Sequence, residues 1–350
     1  MTKRTSKVLW NHSLARVLKK MTKAATAIGS KTIKKALRDA PAAHKGRTST
    51  SQSASRGKTT IGIALTSAGA RRYQLYKPPR VGRTERLPVM VMLHGCGQDA
   101  KHLAASTRMN QLAAAKRFLV LYPEQDRLAN SQACWNWFDT RSGRAQREAD
   151  SIDAAIAQAC LLYPVDQNCI VIAGLSAGAS MAALMALRRP DQFCAVAMHS
   201  GVAPGIAHSS ATALMAMRGT RTAGAALPSG ILLPPLLVIQ GSSDRIVTPD
   251  NGDQVARLWA AQCNAKPRAP RTIQRGARYP ARIIDYEIEG KLMVTHCEVT
   301  GLRHAWSGGA AGHTYSDQKG PDASAMIWTF ARKQFSQCAL QVDNQVNSRS

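Results

Sequence analysis

Residues 169–190 read CIVIAGLSAGASMAALMALRRP, and this stretch restricts the fold more than any other. An unbroken apolar run too short for a helix leads into Gly-Leu-Ser-Ala-Gly, and a helical pattern follows until Pro190 closes it. A strand without polar alternation is one buried on both faces, as in the interior of a parallel sheet. Gly174 and Gly178 flank Ser176, as a tight strand-to-helix turn requires, because a bulky side chain at either position would meet neighbouring backbone. Such a turn lifts the serine hydroxyl above the sheet, at a helix N-terminus whose dipole favours developing negative charge.

The same alternation runs through the rest of the chain. RRYQLYKP, LPVMVMLHG, FLVLYPEQ, FCAVAMHSG, PPLLVIQGSSD and MVTHCEVTG read as strands. Helical spacing marks residues 100–117, SIDAAIAQACLLY, NGDQVARLWAAQC and DASAMIWTFARKQF. The expected fold is therefore α/β: a mostly parallel sheet with helices on both faces, whose ligands bind beyond the carboxyl ends of the strands. Residues 204–230, rich in Ala, Gly and Ser, interrupt the pattern as a lid over the site or a plain surface loop.

Charge divides the chain unevenly. Up to Lys58 there are 15 Lys and Arg against the single acid Asp39, or +14 of the net +26, leaving +12 for the remainder. We expect three parts: a basic, amphipathic or disordered tail and linker over 1–58, a catalytic domain over 59–340, and a C-terminal tail over 341–350. The tail lacks the continuous apolar core of a secretory leader. Its pattern suits an anionic or apolar surface such as a granule or membrane, or a soluble tail that keeps the protein dispersed. Specific nucleic-acid binding is not expected, since no aromatic residues interleave with the basic ones. The longest apolar stretch, GILLPPLLVIQG, is too short to span a bilayer. Eight cysteines without a CxxC pair suggest no zinc site.

A serine hydroxyl needs a base to become a nucleophile. Of nine histidines, His304 in GLRHAWSGG lies in a glycine-bounded loop after the last predicted strand. His199 ends a strand but precedes the candidate acid, and His296 falls inside a strand as a structural residue. Asp244 is the first acid after PPLLVIQG, which puts Ser176, Asp244 and His304 in the order expected of this architecture. Asp250 and Asp253 read instead as helix N-terminal acids. A tetrahedral oxyanion would take N–H donors from Ala177, after the serine, and from Cys96 in LHGCGQ, where glycines leave the backbone open. No metal or cofactor is expected.

With these residues in view, the chain resembles the polyhydroxybutyrate depolymerase-type esterases, related to feruloyl and acetyl-xylan esterases. The matching pieces are VMLHGCGQDA, TRMNQLAA, FLVLYPEQ, CWNWFD, VIAGLSAGASMAALMA, HSGVA, GSSDRIVTPDNG, GLRHAWSGG and YSDQKGPDASAMIW, spanning roughly residues 70–335. The resemblance implies an α/β-hydrolase fold and ester hydrolysis through an acyl-serine. Ser176 would be the nucleophile, His304 the base and Asp244 its orienter, with Cys96 and Ala177 forming the oxyanion hole. Substrates would be short-chain 3-hydroxyacyl polyesters, their oligomers or small esters; feruloyl or acetyl-xylan substrates are the alternative. A non-catalytic protein of granule or nucleic-acid surfaces is the rival from another class. Trp306 and then Trp137 are candidates for an aromatic substrate wall, with Trp135 structural. A Cys96–Cys134 disulfide would pin the oxyanion loop to CWNWF, and Cys263 with Cys297 is a second candidate pair. Family habit points to an extracellular protein and the absent leader to a cytoplasmic one. Family members that attack crystalline polymer commonly carry a further binding domain. Here the basic tail would serve as the anchor, or the substrates would be soluble oligomers.

Overall fold

The computed structural model describes residues 57–66, 69–220, 227 and 230–347. The expected basic tail, up to residue 56, lies outside them. The strands are β1 (Lys58–Thr66), β2 (Gly69–Lys77), β3 (Leu87–Leu93), β4 (Leu119–Pro123), β5 (Val165–Leu175), β6 (Ala195–His199), β7 (Leu236–Gly241), β8 (Lys266–Pro267), β9 (Arg271–Ile273), β10 (Ala281–Ile288), β11 (Lys291–Val299), β12 (Trp306–Ser307) and β13 (Ser316–Asp317). The helices are α1 (Ala100–Thr107), α2 (Met109–Lys116), α3 (Arg144–Leu162), α4 (Ala177–Arg188), α5 (Ser210–Met217), α6 (Asp250–Gln262) and α7 (Ala323–Asn347).

Strands β4-β3-β5-β6-β7-β11 lie side by side and all parallel. Their apolar runs are buried on both faces, as in β4, β6 and β7, where every residue is buried. Antiparallel strands extend the sheet at each edge: β2 and β1 beyond β4, and β10, β8 and β9 beyond β11. Side chains from α3, α4 and α6 pack into the core on one face. Those of α1, α2 and α7 fill the core on the other, where Phe118 stacks on Trp328. Among the described residues no helix is long and apolar enough to cross a membrane.

Two sequence expectations need correction here. Residues 100–117 form two helices, because Arg108 takes a left-handed conformation (φ 55°) between α1 and α2. The expected pairing of Cys263 with Cys297 is absent, and both are free thiols. The reason is topological: Cys263 belongs to the core on one face of the sheet and Cys297 to the core on the other. Within the 204–230 excursion, Ser209 begins α5 with a reciprocal capping box to Thr212.

Candidate active site

Parallel strands deliver their C-terminal loops to one edge of the sheet, and the candidate residues follow neighbouring strands there. Ser176 follows β5, His199 ends β6, Asp244 follows β7 and His304 follows β11. Ser176 sits at φ 56°, ψ −122° as the N-cap of α4, a conformation that costs a non-glycine residue about 1–3 kcal/mol. The turn is tight enough to dictate both glycines. A Cβ on Gly174 would come within 2.3 Å of the Gly178 carbonyl carbon, and one on Gly178 within 2.2 Å of the Leu93 carbonyl oxygen. Ser176 alone is partly exposed between Ile170 and Ala183. Its N–H donates to the His199 carbonyl at 2.9 Å, tying the elbow to the next strand.

Asp244 and His304 are joined directly. His304 Nδ1 lies 2.8 Å from Asp244 Oδ2, while Oδ1 accepts the N–H groups of Ile246 and Val247 at 2.9 Å each. Asp244 is 3% exposed. Burial alone would push its carboxyl up; the bonds from His304, Val247 and Ile246 prevail and hold it below the usual carboxylate range. With Nδ1 committed to the carboxylate, Nε2 of His304 is the nitrogen left for other chemistry. Asp253 instead pairs with Arg257 at 2.7 Å in the first turns of α6.

The loop after β3 lies against the serine: a Cβ on Gly95 would come 3.6 Å from Ser176 Cβ. Within it the N–H of Gly95 bonds Gln98 Oε1, that of Gly97 bonds Gln132 O, and that of Gln98 bonds Gly95 O. The Cys96 N–H has no acceptor among the described residues. Ala177 is the first residue of α4, so its N–H has none within the helix. A disulfide joins Cys96 to Cys134, 38 residues apart. Beside it, Trp135 Nε1 donates to His94 O at 3.0 Å and Gln125 Nε2 to Cys134 O at 3.0 Å. The His94 ring accepts the Gln125 N–H through Nε2.

The wall assigned to Trp306 is not found there. Trp306 is fully buried, stacked on His199 with centroids 5.2 Å apart, and its indole N–H reaches Ser324 Oγ at 3.2 Å. A wall needs an exposed face, and this ring has none. Trp137 is 7% exposed and packs edge-on against Phe138. The residue that sequence reasoning missed is Tyr315, 43% exposed and edge-on to the His304 ring at 6.2 Å. Its only signal was its place in the YSDQKG segment. His199, which precedes the candidate acid in the chain, takes a supporting position in the structure. Its Nε2 accepts the Ser307 N–H at 3.0 Å, leaving Nδ1–H to donate to Ser200 Oγ at 3.1 Å. Burial, with a smaller contribution from nearby His304, lowers its pKa to about 3, so it stays neutral.

This geometry has relatives. Residues 71–263, more than half of the chain, match the family described as esterase PHB depolymerase. The chain belongs to that family. Its relatives include a poly(3-hydroxyalkanoate) depolymerase C of Paucimonas lemoignei, 28% identical over 242 residues, which cover 66% of this chain and 58% of that one. A probable acetylxylan esterase A of Neosartorya fischeri is 24% identical over 224 residues, 58% of this chain and 60% of that one. The chain thus spans about three fifths of the length of these relatives. Among solved structures, the acetyl xylan esterase from Aspergillus awamori superposes with a TM-score of 0.57 at 20% identity, covering 71% of this chain and 94% of that one. That likeness concerns the fold, which is the α/β-hydrolase fold.

Proposed function

We propose that this family member is a serine esterase that cleaves short-chain polyhydroxyalkanoates or their oligomers through an acyl-serine intermediate. The observation that carries the reading is the buried Asp244 bonded to His304 at 2.8 Å, at the same sheet edge as a strained, partly exposed serine. In this mechanism Ser176 Oγ attacks the ester carbonyl carbon while His304 Nε2 takes its proton. Asp244 stabilises the resulting imidazolium. The N–H groups of Cys96 and Ala177 receive the oxyanion, and the disulfide at Cys96 keeps its donor from drifting. His304 then protonates the leaving alkoxide. Water, deprotonated by the same nitrogen, attacks the acyl carbon, and collapse frees the carboxylic acid and Ser176.

Tyr315, exposed and edge-on to the His304 ring, supplies an aromatic surface beside this chemistry. The domain expected over 59–340 is the catalytic unit, opening with β1 at Lys58 and closing with α7, which runs past 340 to Asn347; the basic tail before it is its anchor on anionic or apolar material. The disulfide favours an oxidising compartment. A second reading, deacetylation or deferuloylation of polysaccharide, draws support from the acetylxylan esterase relatives.

The test is hydrolysis by the full-length protein of 3-hydroxybutyrate oligomers, amorphous polymer, acetylated xylan and methyl ferulate. Ser176→Ala should lose about 10⁶-fold in kcat and all labelling by a fluorophosphonate. Cleavage of the oligomers with neglect of xylan and ferulate carries the first reading, and the reverse carries the second. An unlabelled Ser176 would leave a non-catalytic surface protein.

A further inference from the structure

A cavity of about 420 Å³ lies away from the strand ends, between α7 and the β9-β10-β11 corner of the sheet. None of Ser176, Asp244 and His304 lines it. Leu237 and Thr295, which do, pair in register four residues before Gly241 and Val299, about 13 Å of strand short of the candidate active-site edge. The volume falls within the ~300–1,000 Å³ typical of small-molecule sites.

Its floor is apolar, formed by Leu237, Ile283, Leu292, Met326 and Phe330. Its rim is charged, and the charges do not balance. Asp285 is matched by Arg271 and by the Thr295 hydroxyl at 2.6 Å. Asp322 accepts the Ala325 N–H at 3.0 Å and faces Arg108 at 3.8 Å. The remaining cations are Arg275, Arg278 and Lys333. Arg278 reaches only a carbonyl, Gly320 O at 2.7 Å. Arg275 and Lys333 have no side-chain bond to any described residue. Three cations without a carboxylate thus stand around an apolar hollow.

We propose that this cavity binds an aliphatic monocarboxylate, its head held by Arg275, Arg278 and Lys333 and its chain lying on the Leu292–Phe330 floor. Arg275 and Lys333 are exposed and Arg278 half-buried, so water solvates them until an anion takes its place; a neutral ligand would gain nothing from them, and a small inorganic anion would leave the floor wet. The inference does not depend on the esterase reading. The head-and-tail chemistry is shared by fatty acids and by 3-hydroxy acids, and the polar Thr329 and Gln274 on the wall offer partners to the extra hydroxyl of the latter.

The experiment is calorimetric titration of the full chain with octanoate, 3-hydroxyoctanoate and octanol. We expect saturable one-to-one binding of octanoate, with octanol weaker by about tenfold or more, as loss of a charge-assisted contact implies. Arg275→Gln with Lys333→Gln should cost a similar factor, and Met326→Trp, which fills the hollow, should remove binding while the melting transition persists. Tighter binding of 3-hydroxyoctanoate would assign the hydroxy acids as the ligand, and equal binding the fatty acids. The proposal is overturned if octanoate does not saturate the wild-type protein, if octanol binds as tightly, or if both sets of variants bind unchanged.

Discussion

Asp244 and Glu148 are carboxylates of nearly equal burial, 3% and 4% exposed, yet they are held by different kinds of donor. Glu148 accepts the Asn136 N–H at 2.8 Å, the Asn136 side-chain amide and the Gln125 amide at 2.7 Å. Its nearby countercharge is Arg71, which is bonded to Gln125, Ser151 and the Glu124 carbonyl and lies 5.2 Å from the Trp135 ring centre. Every donor to Glu148 is an amide that cannot change its charge. Asp244 shares its oxygens between two backbone N–H groups and an imidazole that can. The first arrangement holds shape: its donors fix the 124–139 segment behind the disulfide. The second can respond to a proton. Burial of a charge therefore says little until its partners are named.

The comparison is sharpest in kinetics. Asp244→Asn should lower kcat about 10⁴-fold, because the amide presents a donor to His304 Nδ1 and selects the wrong tautomer. Pre-steady-state and steady-state hydrolysis across pH would measure it. A loss below tenfold would break the distinction and move the orienting role elsewhere.

Glu148→Gln should do the reverse. It removes one of the two carboxylates near the buried Arg71 guanidinium, Asp126 being the other, and sets an amide NH2 against the Gln125 and Asn136 donors, a loss of about 1–3 kcal/mol. Urea unfolding should register that loss, while kcat of the folded fraction falls far less than in Asp244→Asn. A native unfolding midpoint with a collapsed kcat would make Glu148 part of the chemistry.

Three buried histidines extend the contrast to pH. Burial lowers His94 and His296 to about 4 and His199 to about 3. Each folded value lies below that of the unfolded chain, about 6.5, so below that pH the unfolded chain binds more protons. Their contribution to stability is complete above pH 6.5 and is lost as pH falls toward 4 and then 3. His296 has an unpartnered Nε2, so His296→Gln is the substitution to make. It should remove about one proton from the slope of unfolding free energy against pH between 6.5 and 4. An unchanged slope would mean that His296 keeps its proton when folded.

Much of this was readable in sequence because it is local. Unbroken apolar runs mark strands buried on two faces, and Gly174 and Gly178 mark a turn with no room for a Cβ. The order of β5, β7 and β11 brings Ser176, Asp244 and His304 to one edge. What escaped depends on partners far along the chain. Trp306 looked like a wall because sequence does not say which way a ring faces, and here it faces His199. Arg71, Gln125 and Glu148 meet across 77 residues of chain. Strand β10 lacks both a continuous apolar run and a clean alternation, with burial mixed along its length. Arg108 interrupts a helix whose apolar spacing continues past the break.

The smallest expected effect tests how much of the Asp244 geometry is actively held. Gln240, fully buried on β7, donates through Nε2 to the Val247 carbonyl at 2.9 Å and to Asp244 Oδ2 at 3.4 Å, while its Oε1 has no partner. Gln240→Leu removes the unpartnered oxygen but orphans the Val247 carbonyl, two effects of opposite sign and about 1–3 kcal/mol each. Stability should therefore move by no more than about 2 kcal/mol. The two backbone N–H groups on Oδ1 and His304 on Oδ2 would still hold Asp244, so kcat should fall only about two- to fivefold. KM should stay constant, since Gln240 is buried beneath the pair. Because the lost contact stabilised the carboxylate, the acid limb of the kcat profile should shift upward in pH. A fall as deep as that of Asp244→Asn would mean that the long 3.4 Å contact, rather than the backbone, positions the acid.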